Sequence, residues 1–295
     1  MRRLITAAIF LLGNAAPALA QAPAALPIEK EIVYTKIDGV ELKLDLCRPK
    51  GDGPFPLVVC IHGGGWVGGN KTDVHPVLQA LAQAGFVAAS VQYRLAPTHQ
   101  WPAQIEDCKC AVRHLRSRAK ELNFDPQKVA SLGFSAGGHL SLLLGLTDAG
   151  DGLEGKGHND QSSKVQCVVN YFGPTDFPTF TIPAELDKDG KIAPRIDDLL
   201  VKFLGTSDRK AEVMKKVSPI RYIKKECPPI LTLHGTLDPI VPVQQAKDLD
   251  AALQKAGVSH RLELVDKAGH GWGGPELART NLLMIEFLNK HLKKN

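Results

Sequence analysis

A serine that could act as a nucleophile lies in the segment GFSAGG, where Ser135 stands between small residues. The segment follows the apolar run 129–132 and precedes a run with helical spacing. In a strand–turn–helix context, the G-x-S-x-G pattern makes a sharp turn that exposes the serine hydroxyl at the end of a sheet. The N-terminus of the following helix would add partial positive charge beneath that hydroxyl. The pattern therefore predicts that Ser135 is a catalytic nucleophile.

A serine hydroxyl is a weak nucleophile, so it needs a base to take its proton and a carboxylate to orient that base. In chain order, the acid and then the histidine follow the serine when the nucleophile lies on this kind of turn. The segment HGTLDP follows an apolar run and predicts Asp238 as the orienting acid, and AGHGW predicts His270 as the base. Asp266 stays an alternative acid, and His139 stays an alternative base.

A glycine loop, HGGGW, follows the apolar run 57–61. Consecutive glycines let backbone N–H groups turn towards a bound atom without interference from a Cβ. The loop continues to Lys71, but Asn70 stands where a phosphate-binding P-loop needs glycine, so nucleotide binding is not expected. Trp66 and Trp272 flank the predicted centre and are candidates for substrate contact by at least one of them, with packing as scaffold as the alternative.

These residues must be positioned by a sheet whose strands end beside them. Alternation on both sides of Asp38-Gly39 predicts a β-hairpin over residues 31–47. Short apolar runs typical of buried parallel strands alternate with helical patterns further along the chain. The predicted strands are 57–61, 87–91, 129–132, 165–169, 230–233 and 262–265, and the predicted helices are 77–84, 104–122, 139–146, 243–256 and 275–292.

Strands that alternate with helices predict an α/β fold, a doubly wound, mostly parallel sheet with an N-terminal antiparallel hairpin. Ligands bind such sheets at the carboxyl ends of the strands, where the four candidate segments lie. Residues 21–295 are expected to form a single domain, with a partial cap or insertion at about 175–218.

Several segments resemble those of the α/β-hydrolase superfamily, in its esterase and lipase branch related to hormone-sensitive lipase. These segments are HGGGW, GFSAGG, HGTLDPIVP and GHGW. The stretches YRLAP, WPAQIED and YFGPTD are similar to bacterial bifunctional feruloyl/acetyl-xylan esterase-like proteins. The resemblance implies a Ser135–His270–Asp238 triad. It also implies an oxyanion hole built from the N–H groups of Gly64, Gly65 and Ala136.

The chain departs from the hormone-sensitive-lipase pattern in its cap. Only a hairpin precedes the glycine loop, and the 175–218 insertion carries one short predicted helix, 195–204, among polar residues and prolines. No apolar stretch in it is long enough to build an acyl tunnel, so we expect an open site. Acyl esters of two to four carbons and bulky alcohols such as sugar units are the substrates expected from this.

The first twenty residues predict a secretory signal peptide, with Arg2 and Arg3 ahead of a short apolar run and an A-x-A site that ends at Ala20. The apolar run is too short to span a bilayer, so no stable membrane anchor is expected. The mature protein is therefore expected to be secreted or periplasmic. In an oxidising compartment, the pairing of six cysteines is open, although Cys60 and Cys167 fall in predicted buried strands.

Composition excludes other classes. The 295 residues carry a formal net charge of only +5 and 6% aromatic residues, which argues against nucleic-acid binding. The absence of C-x-x-C and H-E-x-x-H motifs argues against a metal, and no cofactor is expected. The predicted function is a secreted serine carboxylesterase whose partner is an ester, which could be linked to a polysaccharide. A serine peptidase and a non-catalytic binding protein of the same fold are the alternatives, and the oligomeric state is left open.

Overall fold

The computed structural model describes residues 24–293, which form one eight-stranded sheet covered by helices on both faces. The sheet order is β1-β2-β4-β3-β5-β6-β7-β8. Strand β2 pairs antiparallel with both β1 and β4, and all the other neighbouring strands pair in parallel. The strands are β1 (Ile28–Ile37), β2 (Val40–Cys47), β3 (Phe55–Ile61), β4 (Val87–Val91), β5 (Phe124–Phe134), β6 (Cys167–Tyr171), β7 (Ile230–Gly235) and β8 (His260–Val265).

Within the described residues, seven α-helices connect and cover these strands, and two separate apolar cores lie on the two faces of the sheet. The helices are α1 (His75–Gln83), α2 (Ala103–Ser117), α3 (Ala136–Leu146), α4 (Ile192–Leu204), α5 (Glu212–Lys216), α6 (Gln244–Ala256) and α7 (Gly274–Leu292). Helices α1 and α7 pack into one core, and α2, α3, α4 and α6 pack into the other. Central strands such as β4 are buried on both faces, which is why their sequences read as unbroken apolar runs.

The predicted α/β fold with its N-terminal hairpin is confirmed, including the turn at Asp38-Gly39. Several boundaries differ from the prediction. Strand β5 begins at Phe124, five residues earlier than predicted. Strand β6 begins two residues later than predicted, and α2 ends at Ser117 instead of residue 122. Ala119 and Leu122 extend the apolar pattern of α2 along the sequence, and both are buried. They nevertheless lie in the turns that lead to β5.

All six cysteines are free thiols, and five of them are buried, including Cys60 and Cys167. Burial raises the pKa of the Cys167 thiol to about 12, so this group is an inert apolar filler of the core. The predicted signal peptide, residues 1–20, lies outside the described residues. No helix within residues 24–293 is long and apolar enough to cross a membrane.

Two glycines fix the contact between β5, α3 and β3. A Cβ on Gly137 would lie 2.1 Å from the Ile61 carbonyl oxygen, and a Cβ on Gly133 would lie 2.1 Å from the Gly137 carbonyl oxygen. Both neighbours are backbone atoms, which cannot rotate away as a side chain can. The start of α3 therefore packs directly on the end of β3.

We predict that Gly137→Ala destabilises the protein, although alanine is ordinarily about 1 kcal/mol better than glycine inside a helix. Because the added methyl group forces backbone atoms apart, the free energy of unfolding should fall by about 1–3 kcal/mol. Urea unfolding followed by circular dichroism measures this. The matched control is Gly150→Ala, where a Cβ would meet nothing within 4 Å. Equal stability of G137A and wild type would contradict the packing argument.

Candidate active site

Three side chains predicted from separate segments meet at the carboxyl edge of the sheet. The Ser135 hydroxyl lies 2.8 Å from His270 Nε2, and His270 Nδ1 lies 2.8 Å from Asp238 Oδ2. Because a carboxylate can only accept, the Nδ1–H donates to Asp238, which leaves Nε2 free to accept the Ser135 proton. This is the tautomer that a general base needs.

Ser135 occupies a strained backbone conformation between β5 and α3. Its φ of 55° and ψ of −119° fall in a region that residues with a Cβ rarely adopt. The Ser135 N–H donates to the Tyr171 carbonyl at 2.9 Å, and the Ser135 carbonyl accepts from the His139 N–H at 3.0 Å. These bonds and the glycine contacts described above hold the turn, so the hydroxyl is presented towards His270 and away from the helix.

Asp238 is buried completely, yet its surroundings favour the charged form. Burial alone raises the pKa of its carboxyl, but hydrogen bonds from His234 and His270 and the N–H groups of Ile240 and Val241 outweigh burial and lower it to about 2. His234 Nε2–H donates to the Val241 carbonyl at 2.7 Å, and the same nitrogen lies 3.4 Å from Asp238 Oδ2. Asp238 is therefore negatively charged behind His270 at neutral pH.

The two alternatives weighed from the sequence are placed elsewhere. Asp266 is exposed in the turn after β8, and no hydrogen bond joins it to His270 among the described residues. His139 is fully buried, and both of its ring nitrogens are occupied by Trp66 and by the Val217 carbonyl. Burial also lowers the pKa of His139 to about 4, so the ring is neutral at neutral pH, but neither nitrogen is free to accept the Ser135 proton.

The glycine loop lies beside Ser135, and Gly63, Gly64 and Gly65 all line the same cavity. Gly64 (φ 108°) and Gly65 (φ 60°) have left-handed backbone conformations, as their residue type allows. The third predicted donor, Ala136, is the first residue of α3, where N–H groups have no partner within the helix. The structure thus brings the three predicted donors to the Ser135 turn and the loop next to it.

A cavity of about 580 Å³ opens over Ser135 and His270. Its lining is mostly apolar. Besides Ser135 and His270, it comes from the glycine loop, the end of β5, the loops after β6 and β7, and the 175–218 insertion. The volume lies within the range of small-molecule sites. The insertion residues in the lining are Phe180, Ile192, Arg195, Ile196, Asp198, Leu199 and Lys202.

This lining corrects one expectation. The insertion was expected to be too polar to supply an apolar wall, because no continuous apolar stretch occurs in it. Helix α4 instead presents Ile192, Ile196 and Leu199 to the cavity, and these residues are spaced three and four apart on one helix face. The helical spacing of these residues therefore builds the wall, and the exposed Arg195 and Asp198 between them also border the cavity.

The two tryptophans have different positions. Trp66 borders the cavity but is only 2% exposed, since its ring stacks on Phe203. Trp272 does not line the cavity, so the suggestion that it contacts substrate is corrected. Its ring packs against Phe172 and its N–H donates to Thr280 at 2.9 Å. It serves as scaffold behind the base, since Phe172 in turn contacts the His270 ring at a centroid distance of 4.7 Å.

Sequence reasoning missed several residues of the lining: Phe172, Pro174, Ile240 and Val241. All four directly follow the ends of strands β6 and β7 or lie in the loops after them, so the rule that ligands bind at carboxyl strand ends could have found them. Within the described part of the chain, no group of three or more metal-ligating side chains is placed to hold a metal ion.

The chain is similar to curated proteins that are named esterases. Esterase LipC of Mycobacterium tuberculosis is 34% identical over 232 residues, which cover 77% of this chain and 55% of LipC. The chain spans about half the length of the curated relatives that it matches.

Two solved esterase structures match over nearly their whole length. A truncated carbohydrate esterase from gut microbiota aligns with a TM-score of 0.78 and 26% identity, covering 92% of this chain and 98% of that one. The butyrate-bound esterase Est2 of Thermogutta terrifontis aligns with a TM-score of 0.71 and 27% identity, covering 90% of this chain and 94% of that one. Both are described as esterases, and neither identity is high enough to transfer a substrate.

The family model for BD-FAE matches residues 44–253, a segment that contains the glycine loop, Ser135 and Asp238. Because the match covers well over half of the chain, the protein belongs to the BD-FAE family and has the α/β-hydrolase fold.

Proposed function

We propose that the protein is an exported serine carboxylesterase that hydrolyses short-chain acyl or aryl esters. The observation that carries this proposal is the continuous hydrogen-bonded chain from Ser135 through His270 to Asp238, at the floor of a cavity beside the glycine loop. No cofactor takes part in the proposed reaction.

In the proposed acylation step, Ser135 Oγ attacks the ester carbonyl carbon while His270 Nε2 accepts the hydroxyl proton. The carbonyl oxygen becomes an oxyanion, which the N–H groups of Gly64, Gly65 and Ala136 would stabilise. Each such donor is typically worth about 3–4 kcal/mol of transition-state stabilisation. The intermediate then collapses, the C–O bond to the alcohol breaks, and His270 gives its proton to the departing oxygen.

In the proposed deacylation step, water replaces the alcohol. His270 takes a proton from the water as it attacks the acyl carbon, and the second tetrahedral intermediate releases the acid and returns the proton to Ser135. The imidazolium that forms in both steps lies 2.8 Å from a carboxylate that is already charged, so no proton needs to move to Asp238.

Acetyl and feruloyl groups on plant polysaccharide are the substrates that we propose. Support comes from the similarity to a carbohydrate esterase and from a cavity large enough to hold an acyl group together with part of a sugar. The predicted signal peptide supports export to the periplasm or the medium, where such polymers are met.

We predict that Ser135→Ala abolishes ester hydrolysis while the folded structure is retained, because alanine removes the nucleophile and no core contact. The assay compares p-nitrophenyl acetate, a feruloyl ester, acetylated xylan and a peptide anilide. Hydrolysis of the anilide alone by the wild-type protein would favour the peptidase alternative. If S135A kept all of the wild-type activities, the serine mechanism would be refuted.

We predict that Asp238→Asn lowers kcat by orders of magnitude, whereas Asp266→Asn changes it by less than about twofold. Asparagine can donate to Nδ1 and so hold the wrong imidazole tautomer, an effect of about 10⁴ in a serine protease. Asp266 is the matched control, since it is an exposed acid four residues before His270. Steady-state kinetics on p-nitrophenyl acetate checks both variants, and the reverse pattern would show that the acid was assigned wrongly.

We predict that kcat/KM falls from acetate and butyrate esters to decanoate and longer ones, because a cavity of this size must hold both acyl and alcohol groups. The acyl chain of the butyrate ester should still be stabilised by contact with the apolar face of α4, since each buried CH₂ contributes about 0.8 kcal/mol. Ile192→Ala should therefore lower kcat/KM for p-nitrophenyl butyrate about fourfold relative to acetate.

Val201→Ala is the matched control for this series, because Val201 lies on the same helix but is 45% exposed and outside the cavity lining. Rates on p-nitrophenyl acetate, butyrate, octanoate and palmitate give the comparison. A maximum at octanoate or beyond would reveal a deep acyl channel and contradict the short-chain assignment.

A further inference from the structure

The loop that carries Gly64 and Gly65 ends in Trp66, whose backbone is strained. Its φ of 62° is unusual for a residue with a large side chain. Such a conformation persists only when its surroundings determine it. The contacts of the Trp66 side chain therefore bear on where the two preceding N–H groups point.

The Trp66 indole is held by one hydrogen bond and one stacked ring. Its N–H donates to His139 Nδ1 at 3.2 Å, and its face stacks on Phe203 with a centroid distance of 4.2 Å and an interplanar angle of 2°. The Nδ1 atom of His139 is free to accept because the ring's Nε2–H donates to the Val217 carbonyl at 2.8 Å. Because burial lowers the pKa of His139 to about 4, the ring stays neutral and keeps this acceptor at neutral pH.

Helix α4 contacts the glycine loop at two points. Phe203 stacks on Trp66, and the Leu199 side chain comes within 2.9 Å of the position that a Cβ on Gly65 would take. The same helix lines the substrate cavity through Leu199 and Ile196. The inserted helix, the glycine loop and the helix after Ser135 are thus joined through a single buried indole.

We propose that Trp66, held by His139 and Phe203, is a positioning residue for the oxyanion hole, and that α4 supports transition-state stabilisation as well as lining the cavity. This inference rests on the proposed serine-esterase function. It gives Trp66 and His139 a joint role that differs from substrate contact and from general-base catalysis.

The expected effect is on kcat more than on KM. The oxyanion hole binds charge that exists only in the transition state, so a displaced donor weakens that state without weakening substrate binding. Loss of a whole donor typically costs about 10²–10³ in kcat. Displacement of the loop, with both donors still present, should therefore cost about tenfold to a hundredfold.

The test is Trp66→Phe, which keeps an aromatic ring for the stack and deletes the N–H donor. We expect kcat on p-nitrophenyl acetate and butyrate to fall about tenfold or more, with KM within about twofold of wild type. Tyr34→Phe is the matched control, because it also deletes one buried aromatic hydrogen bond, from the Tyr34 hydroxyl to the Gln92 carbonyl at 2.6 Å, on the N-terminal hairpin. It should lose stability and keep its kcat.

A second readout separates positioning from general loosening. Sulfur is larger and accepts hydrogen bonds more weakly than oxygen, so an intact oxyanion hole favours an ester over the matching O-thionoester, in which sulfur replaces the carbonyl oxygen. The ratio of the two kcat/KM values should fall in W66F and stay at the wild-type value in Y34F.

Phe203→Leu tests the stack independently if W66F folds poorly, and it should lower kcat and the oxygen-to-sulfur ratio in the same direction. Wild-type kcat and ratio in the folded variants would overturn the inference, as would an equal fall of kcat in Y34F. The proposed function is tested separately by S135A. An active S135A refutes that function, whereas an inactive S135A beside a fully active W66F refutes only the role given to Trp66.

Discussion

The turn at Ser135 is the constraint on which the rest of the site depends. A residue with a side chain can hold a φ of 55° between a strand and a helix only if the backbone around it packs without side chains in the way. Gly133 and Gly137 meet this need, since a Cβ on either would lie about 2 Å from a backbone oxygen. The same contact sets α3 against the end of β3, from which the glycine loop begins. One tight turn therefore fixes both the nucleophile and the starting point of the loop beside it.

The negative charge of Asp238 orients His270 for the proposed catalysis, and it also affects the stability of the fold. Asp238 is fully buried, and without partners its burial would favour the neutral acid. Two histidines and two backbone N–H groups keep it ionised, with a pKa of about 2 against about 3.9 for an unperturbed aspartate. A lowered pKa in the folded state contributes stability above the unfolded value, and that stability is lost as pH falls from about 4 to about 2. The carboxylate that orients His270 thus also stabilises the fold at neutral pH.

The sequence predicted those parts of the site that local pattern and chain order determine. Ser135, Asp238 and His270 follow apolar runs that read as buried strands, and parallel strands end at one edge, so their meeting followed from topology. Helix α4 was harder to interpret, because its apolar residues are separated by Arg195, Asp198 and other polar residues and become one surface only when the helix forms. The position of Trp272 also needed the structure. A tryptophan two residues after the base can face the cavity or the scaffold, and the bond to Thr280 that decides between them comes from α7.

The catalytic residues and the apolar wall of the cavity come from different parts of the chain. The triad and the glycine loop come from strand ends whose positions the sheet fixes, whereas the apolar wall comes from a segment inserted between β6 and β7 that the sheet does not constrain. Changes along α4 could therefore alter cavity shape without moving Ser135 or Asp238. Two positions are exceptions, because Leu199 and Phe203 contact the loop at Gly65 and Trp66. Replacement of Leu199 changes the wall and the support of the oxyanion hole together, whereas Phe203 lies outside the cavity lining and supports only the loop. Specificity and rate should therefore vary independently at Ile192 and jointly at Leu199.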